Sequence, residues 1–132
     1  LFAKNLPIPR PDEAINLDMV GDKQLVLPIE RYSLEYHPKL VRHLWDRAKD
    51  MGLDAFIGRV DYAIYDDHIP LNEIAGIPSI DLIDFKYPNS YANFWHTLND
   101  IPENCSEESL GQVGDLMVDY IYNREEQNRS EN

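Results

Sequence analysis

Two strand-length apolar runs constrain the fold of this chain most tightly: AINLDMV at residues 14–20 and IPSIDLIDF at residues 77–85. Each is too short for a helix of ordinary length, and Gly21 closes the first. A run of this kind reads as a buried strand, and the first reads as one buried on both faces, as in the middle of a largely parallel sheet. Asp18 interrupts the first run near its C-terminal end.

Parallel strands need crossovers, and the sequence between the runs supplies one. HPKLVRHLWDRAKDMG places Leu40, Val41, Leu44, Trp45, Ala48 and Met51 at helical spacing. Pro38 suits the first helical position and Gly52 the C-terminal cap. Residues 24–30 form a second extended segment, which Pro28 confines to an edge or terminal position. Residues 54–58 form a short strand, and residues 67–75 a short helix or turn around Pro70. Residues 106–123 form a closing helix with Ser106 as N-cap and an apolar stripe of Leu110, Val113, Met117, Tyr120 and Ile121. Residues 4–11, with three prolines, read as an extended lead-in, and residues 124–132 as a frayed tail.

This order predicts a single α/β domain with a mixed, mainly parallel sheet flanked by helices. Sites in such sheets lie beyond the carboxyl ends of the strands. That rule selects the position just after Leu17, the segment Tyr65 to His68, and the loop after Phe85. All three carry ionisable groups.

The 132 residues suffice for one core, and the formal charge of −12 argues against nucleic acid as a partner. No run approaches the length of a membrane span. The single cysteine, Cys105, leaves no internal disulfide and no cysteine-rich zinc site. The chain opens on Leu1 in what reads as a mid-protein loop, so a piece of something longer is expected.

Asp18 is a carboxylate inside an apolar strand, which needs a partner, a hydrogen bond or a cation. A loop-capping role at the strand end serves equally well. Asp66 and Asp67 are neighbours whose side chains diverge, so one can cap the short helix while the other faces the site. His68 can be a ligand or a histidine anchored by hydrogen bonds. His96, between Trp95 and Thr97, is a loop histidine of the type that binds zinc, with the indole as a dry wall. His37 and His43 belong to surface or capping positions. No HExxH, P-loop or GxSxG motif occurs. The residues alone lead to a candidate oxygen/nitrogen ligand site built from strand ends.

INLDMVGD, DDHIPLNEIAGIPSIDLIDF and FWHTLNDIPENCSEESL, in that order, resemble the C-terminal half of the zinc aminopeptidases of metallopeptidase family twenty-eight. The animal-type glutaminyl-peptide cyclotransferases share that superfamily. The resemblance implies a zinc-exopeptidase fold and a peptide substrate. It implies that Asp18 is a metal ligand in a two-zinc aminopeptidase, or a catalytic aspartate in a cyclase. It implies that His96 is a zinc ligand and that Asp66 is catalytic, within a proton-relay network. Asp67 and His68 then stand behind the site, and Trp95 lines the substrate pocket. The family takes its remaining ligands from its N-terminal half: a His-x-Asp segment and a Glu-Glu pair that includes the general base. Glu125 and Glu126 sit in a polar tail where no family glutamate belongs. One or two zinc ions are thus expected only with that N-terminal half as partner, and the chain alone is expected to be inactive. Hydrolysis of N-terminal residues, formation of N-terminal pyroglutamate, and a non-catalytic binding role on the same scaffold are the three readings. An extracytoplasmic location is the expectation that the resemblance adds.

Overall fold

In the computed structural model, residues 1–6 and 8–130 are described, with side chains through residue 124. The strands are β1 (Ala14–Asp18), β2 (Leu27–Ile29), β3 (Phe56–Val60) and β4 (Ser79–Ile83), with a small hairpin of β5 (Pro88–Asn89) and β6 (Ala92–Asn93). The helices are α1 (Arg31–Tyr36), α2 (Pro38–Asp50), the single turn α3 (His68–Pro70) and α4 (Glu107–Ser130). A π-helical turn, Leu71–Ala75, extends α3 and ends on Gly76 at φ 63°, the left-handed conformation that glycine adopts without a Cβ clash.

β1 pairs with β4 and β2 with β3, both in parallel, while β5 and β6 are antiparallel. β2 also lies beside β4. The mixed, mainly parallel sheet is therefore as the sequence predicts. β4 is buried at every position. β1 is not: its residues are half-buried and Leu17 is 45% exposed. AINLD alternates, so Ile15 and Leu17 share one face while Asn16 and Asp18 share the other. An amphipathic strand at an open edge replaces the doubly buried strand expected. β2 is hydrogen-bonded to β3 alone among the described residues, the edge position that Pro28 predicts, although Pro28 itself is buried. The missing N–H of Pro28 falls where the β2–β3 register shifts, the kind of irregularity that accommodates a proline.

The core forms on one side of the sheet. Leu40, Val41, Leu44, Trp45 and Ala48 of α2 pack with Leu27, Ile80 and Leu82. α4 adds Val113 and Leu116, and Arg47 grips Asp119 through two hydrogen bonds of 2.8 and 2.6 Å. The buried stripe of α4 is thus Val113, Leu116 and the half-buried Met117 and Tyr120. Leu110 and Ile121, expected in that stripe, are 50% and 54% exposed. The helix continues to Ser130 through the segment that the sequence sets apart as a tail. The side chains of Glu125 and Glu126, and residues 131–132, lie outside the described ones. Cys105 is a free, exposed thiol. Among the described residues no helix is long and apolar enough to cross a membrane.

A candidate metal-site wall

The polar face of β1 and β4 builds the site. Asn16 stands opposite Asp81 in the parallel register, and Asp18 opposite Ile83. The amide nitrogen of Asn16 donates to Asp66 Oδ2 and to Asp81 Oδ1, each at 3.1 Å. Asp66 also accepts from the backbone N–H of Asp67 at 2.8 Å and lies close enough to Asp18 to act on its carboxyl electrostatically. Burial, and then the charge of Asp66, push the Asp18 carboxyl above its ordinary value. Asp66 is thus the member of the pair that turns inward. Asp67 is exposed, makes no capping hydrogen bond, and reaches Asp18 only through its charge.

His68 is fully buried behind this cluster. Its Nε2 lies 3.2 Å from Glu30 Oε2 and its Nδ1 3.8 Å from Asp81 Oδ2. Neither contact is aligned as a linear hydrogen bond. Glu30 accepts from the N–H groups of Tyr32, Ser33 and Ile64 and from the Ser33 hydroxyl, at 2.6–3.0 Å. Burial alone would raise the Glu30 carboxyl, but His68 and these donors outweigh it and hold it down at about 2. Asp81 goes the other way: burial, and then the charge of Asp66, push it up to about 8. One carboxyl beside His68 is therefore ionised at neutral pH and the other carries a proton, a separation set by the number of donors each meets.

Trp95 and His96 sit on a different element, the loop after the β5–β6 hairpin. Their rings stack with centroids 4.1 Å apart and 22° between planes, and Trp95 also packs on Phe85 at 5.6 Å. His96 is exposed and has φ 56°. Met19, directly after Asp18, has φ 53°. Among the described residues these are the two non-glycine positions with positive φ. An unbranched or aromatic side chain in this region is uncommon and strained.

Of the residues singled out in the sequence, Asp18 and Asp66 come together and His68 backs them, while Asp67 stays exposed at the rim. Trp95 and His96 form a second, separate group. The sequence reading overlooks Asn16, Glu30, Ser33 and Asp81. Asp81 was accessible by the argument applied to Asp18, since it too is a carboxylate inside an apolar strand. Glu30 gave no such signal, because glutamate is an unusual N-cap and α1 carries no long apolar repeat.

The donor types suit zinc, which takes carboxylate oxygen and imidazole nitrogen. The charge of Asp66 works against ionisation of Asp18, an arrangement that a cation would relieve. Among the described residues, however, no three His, Cys, Asp or Glu side chains converge as a complete cage. A catalytic zinc takes about three protein ligands, so the residues present fit as part of a ligand set.

The family model for Peptidase family M28 matches residues 2–121. The chain belongs to peptidase family M28. No curated protein matches it significantly. Among solved structures, Porphyromonas gingivalis glutaminyl cyclase is similar at TM-score 0.84 and 31% identity, over 92% of this chain and 46% of that one. A Zn-dependent exopeptidase from Parabacteroides distasonis is similar at TM-score 0.83 and 36% identity, over 92% and 43%. A leucine aminopeptidase precursor from Bacteroides thetaiotaomicron is similar at TM-score 0.82 and 33% identity, over 92% and 41%. The chain thus spans less than half the length of each. The M28 chain shares its fold with zinc exopeptidases and with glutaminyl cyclases alike.

Proposed function

We propose that this M28 chain supplies one wall of a zinc-dependent site that removes residues from the N-terminus of a peptide. The observation that carries this reading is the pairing of strain with chemistry. Among the described residues, the two left-handed non-glycine positions are His96 itself and the neighbour of Asp18. Strain of about 1–3 kcal/mol per residue persists where surrounding structure over-determines the backbone, and it clusters at functional sites.

Asp18 and His96 are the side chains that would hold zinc. Zinc bound there would polarise the carbonyl under attack and lower the pKa of a water molecule. Asp66, fixed by Asn16 and by the N–H of Asp67, sets the orientation of the Asp18 carboxyl. Asp81, protonated at neutral pH, keeps a second negative charge away from Asp66. Trp95 braces the His96 ring and offers an apolar surface to the substrate side chain. The remaining ligands and the general base belong to the part of the domain that this chain does not span, which is its required partner. An extracytoplasmic setting accords with this reading.

The electrostatic coupling of the Asp18 and Asp66 carboxyls supports a second reading, a glutaminyl cyclase. There the α-amine of an N-terminal glutamine attacks its own γ-amide and ammonia leaves. A carboxylate of this pair can take the proton from the amine and deliver it to the leaving group. The test is an assay of the complete catalytic domain containing this chain, with and without chelator. Chelator-sensitive release of aminoacyl-anilides is the expected result. Ammonia release from an N-terminal Gln peptide instead would assign the cyclase. Chelator-insensitive anilide cleavage, or neither activity with the metal site full, would contradict both.

A further inference from the structure

A metal bond to imidazole lies in the plane of the ring, so the plane of His96 decides where its donor nitrogen points. A ligating histidine is ordinarily aimed by a hydrogen bond from its second ring nitrogen. Among the described residues no hydrogen bond reaches the ring of His96, which is exposed; its contact is the stack on Trp95. The hydrogen bonds of the loop do not supply the aim either. The N–H of Trp95 donates to Asn93 Oδ1 at 2.9 Å and that of Thr97 to the Phe94 carbonyl at 3.0 Å. Both acceptors are close sequence neighbours, so these bonds shape the loop without tying the two rings to the sheet. Tyr87 and Phe94, edge to face at 5.6 Å, clasp the hairpin rather than those rings.

A line of aromatic rings does supply it. Trp95 packs on Phe85 with centroids 5.6 Å apart and planes at 55°, and Phe85 meets Tyr62 at 5.9 Å and 61°. These separations and tilts are the ones that aromatic quadrupoles favour. Tyr62 is itself held from several sides. Its hydroxyl donates to the carbonyl of Ile83 at 2.8 Å and accepts from the N–H of Phe85 at 3.1 Å. The Lys86 ammonium lies 5.9 Å from the centroid of its ring, and Asp61 holds that ammonium at 2.7 Å. Ile83 ends β4 and is the register partner of Asp18 on β1. The line of rings therefore starts at the residue opposite one candidate zinc donor and ends on the other.

We infer that, on the reading of His96 as a zinc donor, Tyr62 and Phe85 are its positioning residues. Through Trp95 they set the plane of the His96 ring and refer it to Ile83, and so to Asp18. Both act through Trp95 and not on the metal or the substrate themselves. An imidazole whose plane is already held gives up little rotamer freedom when it binds, whereas a free exposed one must first be ordered. Loss of the Phe85 ring or of the Tyr62 hydroxyl therefore weakens binding without removing a ligand.

The test uses the complete catalytic domain containing this chain and the variants Phe85→Leu, Phe85→Tyr and Tyr62→Phe. One readout is the NMR shift of the His96 ring protons in the zinc-free domain, which the ring current of the stacked indole moves upfield. The other is zinc affinity, measured by competition with a chromogenic chelator. Phe85→Leu keeps apolar bulk but breaks the line of rings. It should abolish most of the upfield shift and weaken zinc about tenfold, the scale of removing a group that orients a metal ligand. Phe85→Tyr keeps the ring and should preserve both readouts. Tyr62→Phe removes only the hydroxyl tie and should change both in the same direction by less. The ring protons of His68, buried in the first wall, should keep their shifts throughout, which separates lost aim from lost fold. If Phe85→Leu does not fold, Tyr62→Phe decides by the same two readouts. An unchanged His96 shift and zinc affinity in both Phe85→Leu and Tyr62→Phe would overturn the positioning role. So would equal losses in Phe85→Leu and Phe85→Tyr, since the ring would then not be what matters. A lost shift with unchanged zinc affinity would leave the line of rings standing and contradict His96 as a donor instead.

Discussion

The two groups of candidate residues differ in how they are held. Around His68, the neighbours are buried or half-buried and tied to several elements at once: Glu30 joins β2, α1 and the strand exit at Ile64, while Asn16 joins β1, β4 and the turn at Asp66. Around His96, a loop holds an exposed ring in place by a stack on Trp95 and by its own left-handed backbone. The first wall is rigid before any ligand arrives. The second depends on what is placed against it. Buried polar groups therefore stabilise the fold and orient Asp66, whereas the loop, exposed as it is, adds little to stability.

Substitution in the buried group has the largest expected effect. Glu30→Ala leaves His68 and the N–H groups of Tyr32, Ser33 and Ile64 without their shared acceptor. Breaking a buried charged network of this kind costs about 3–5 kcal/mol, enough to unfold much of the population. Urea denaturation checks this, and a loss under about 1 kcal/mol would mean that the network is not what holds α1.

The next effect is a pH dependence. Asp81 rises from an ordinary 3.8 to about 8 in the folded state. Its contribution to stability is therefore complete below about pH 4 and is lost as pH rises through 8. Glu30 has the opposite sign, since its carboxyl falls from 4.5 to about 2. Its contribution is complete above about pH 4.5 and is lost as pH falls through 2. Asp81→Asn should flatten the decline in thermal stability between about pH 4 and 8. At pH 9 it should stabilise the chain by about 1–3 kcal/mol, the scale of relieving one poorly paired buried carboxylate. An unchanged slope would place the titration elsewhere.

The loop should respond least. His96→Gly removes the left-handed strain and should stabilise the chain by no more than about 1 kcal/mol. His96→Ala should change stability by less than about 0.5 kcal/mol, as for an exposed site. A larger loss from either would erase the contrast between the two walls.

Much of this was legible in the sequence. The periodic apolar residues of α2 and the unbroken run of β4 announced their own burial. Asp18, Asp66 and His68 were found because ionisable groups interrupting or abutting apolar strands demand partners. β1 was misread because its alternation of Ile15 and Leu17 with Asn16 and Asp18 was weighed as an apolar run rather than as a period of two. The stripe of α4 is legible at Val113, Met117 and Tyr120, but Leu110 and Ile121 are exposed and Leu116 takes a buried place, because apolar spacing alone does not fix which edge of a helix face meets the core. Glu30 was silent, since its value comes from donors brought to it by residues 32, 33 and 64 only after folding.

On the function proposed above, His96 and Asp18 form one wall of a zinc site that the rest of the M28 domain completes. Zinc affinity of that complete domain, measured by competition with a chromogenic chelator, tests it most directly. His96→Ala should weaken zinc binding by at least about 100-fold, because a ligand and not a neighbour is lost, while His43→Ala leaves it unchanged. Equal affinity in the two variants would contradict the assignment.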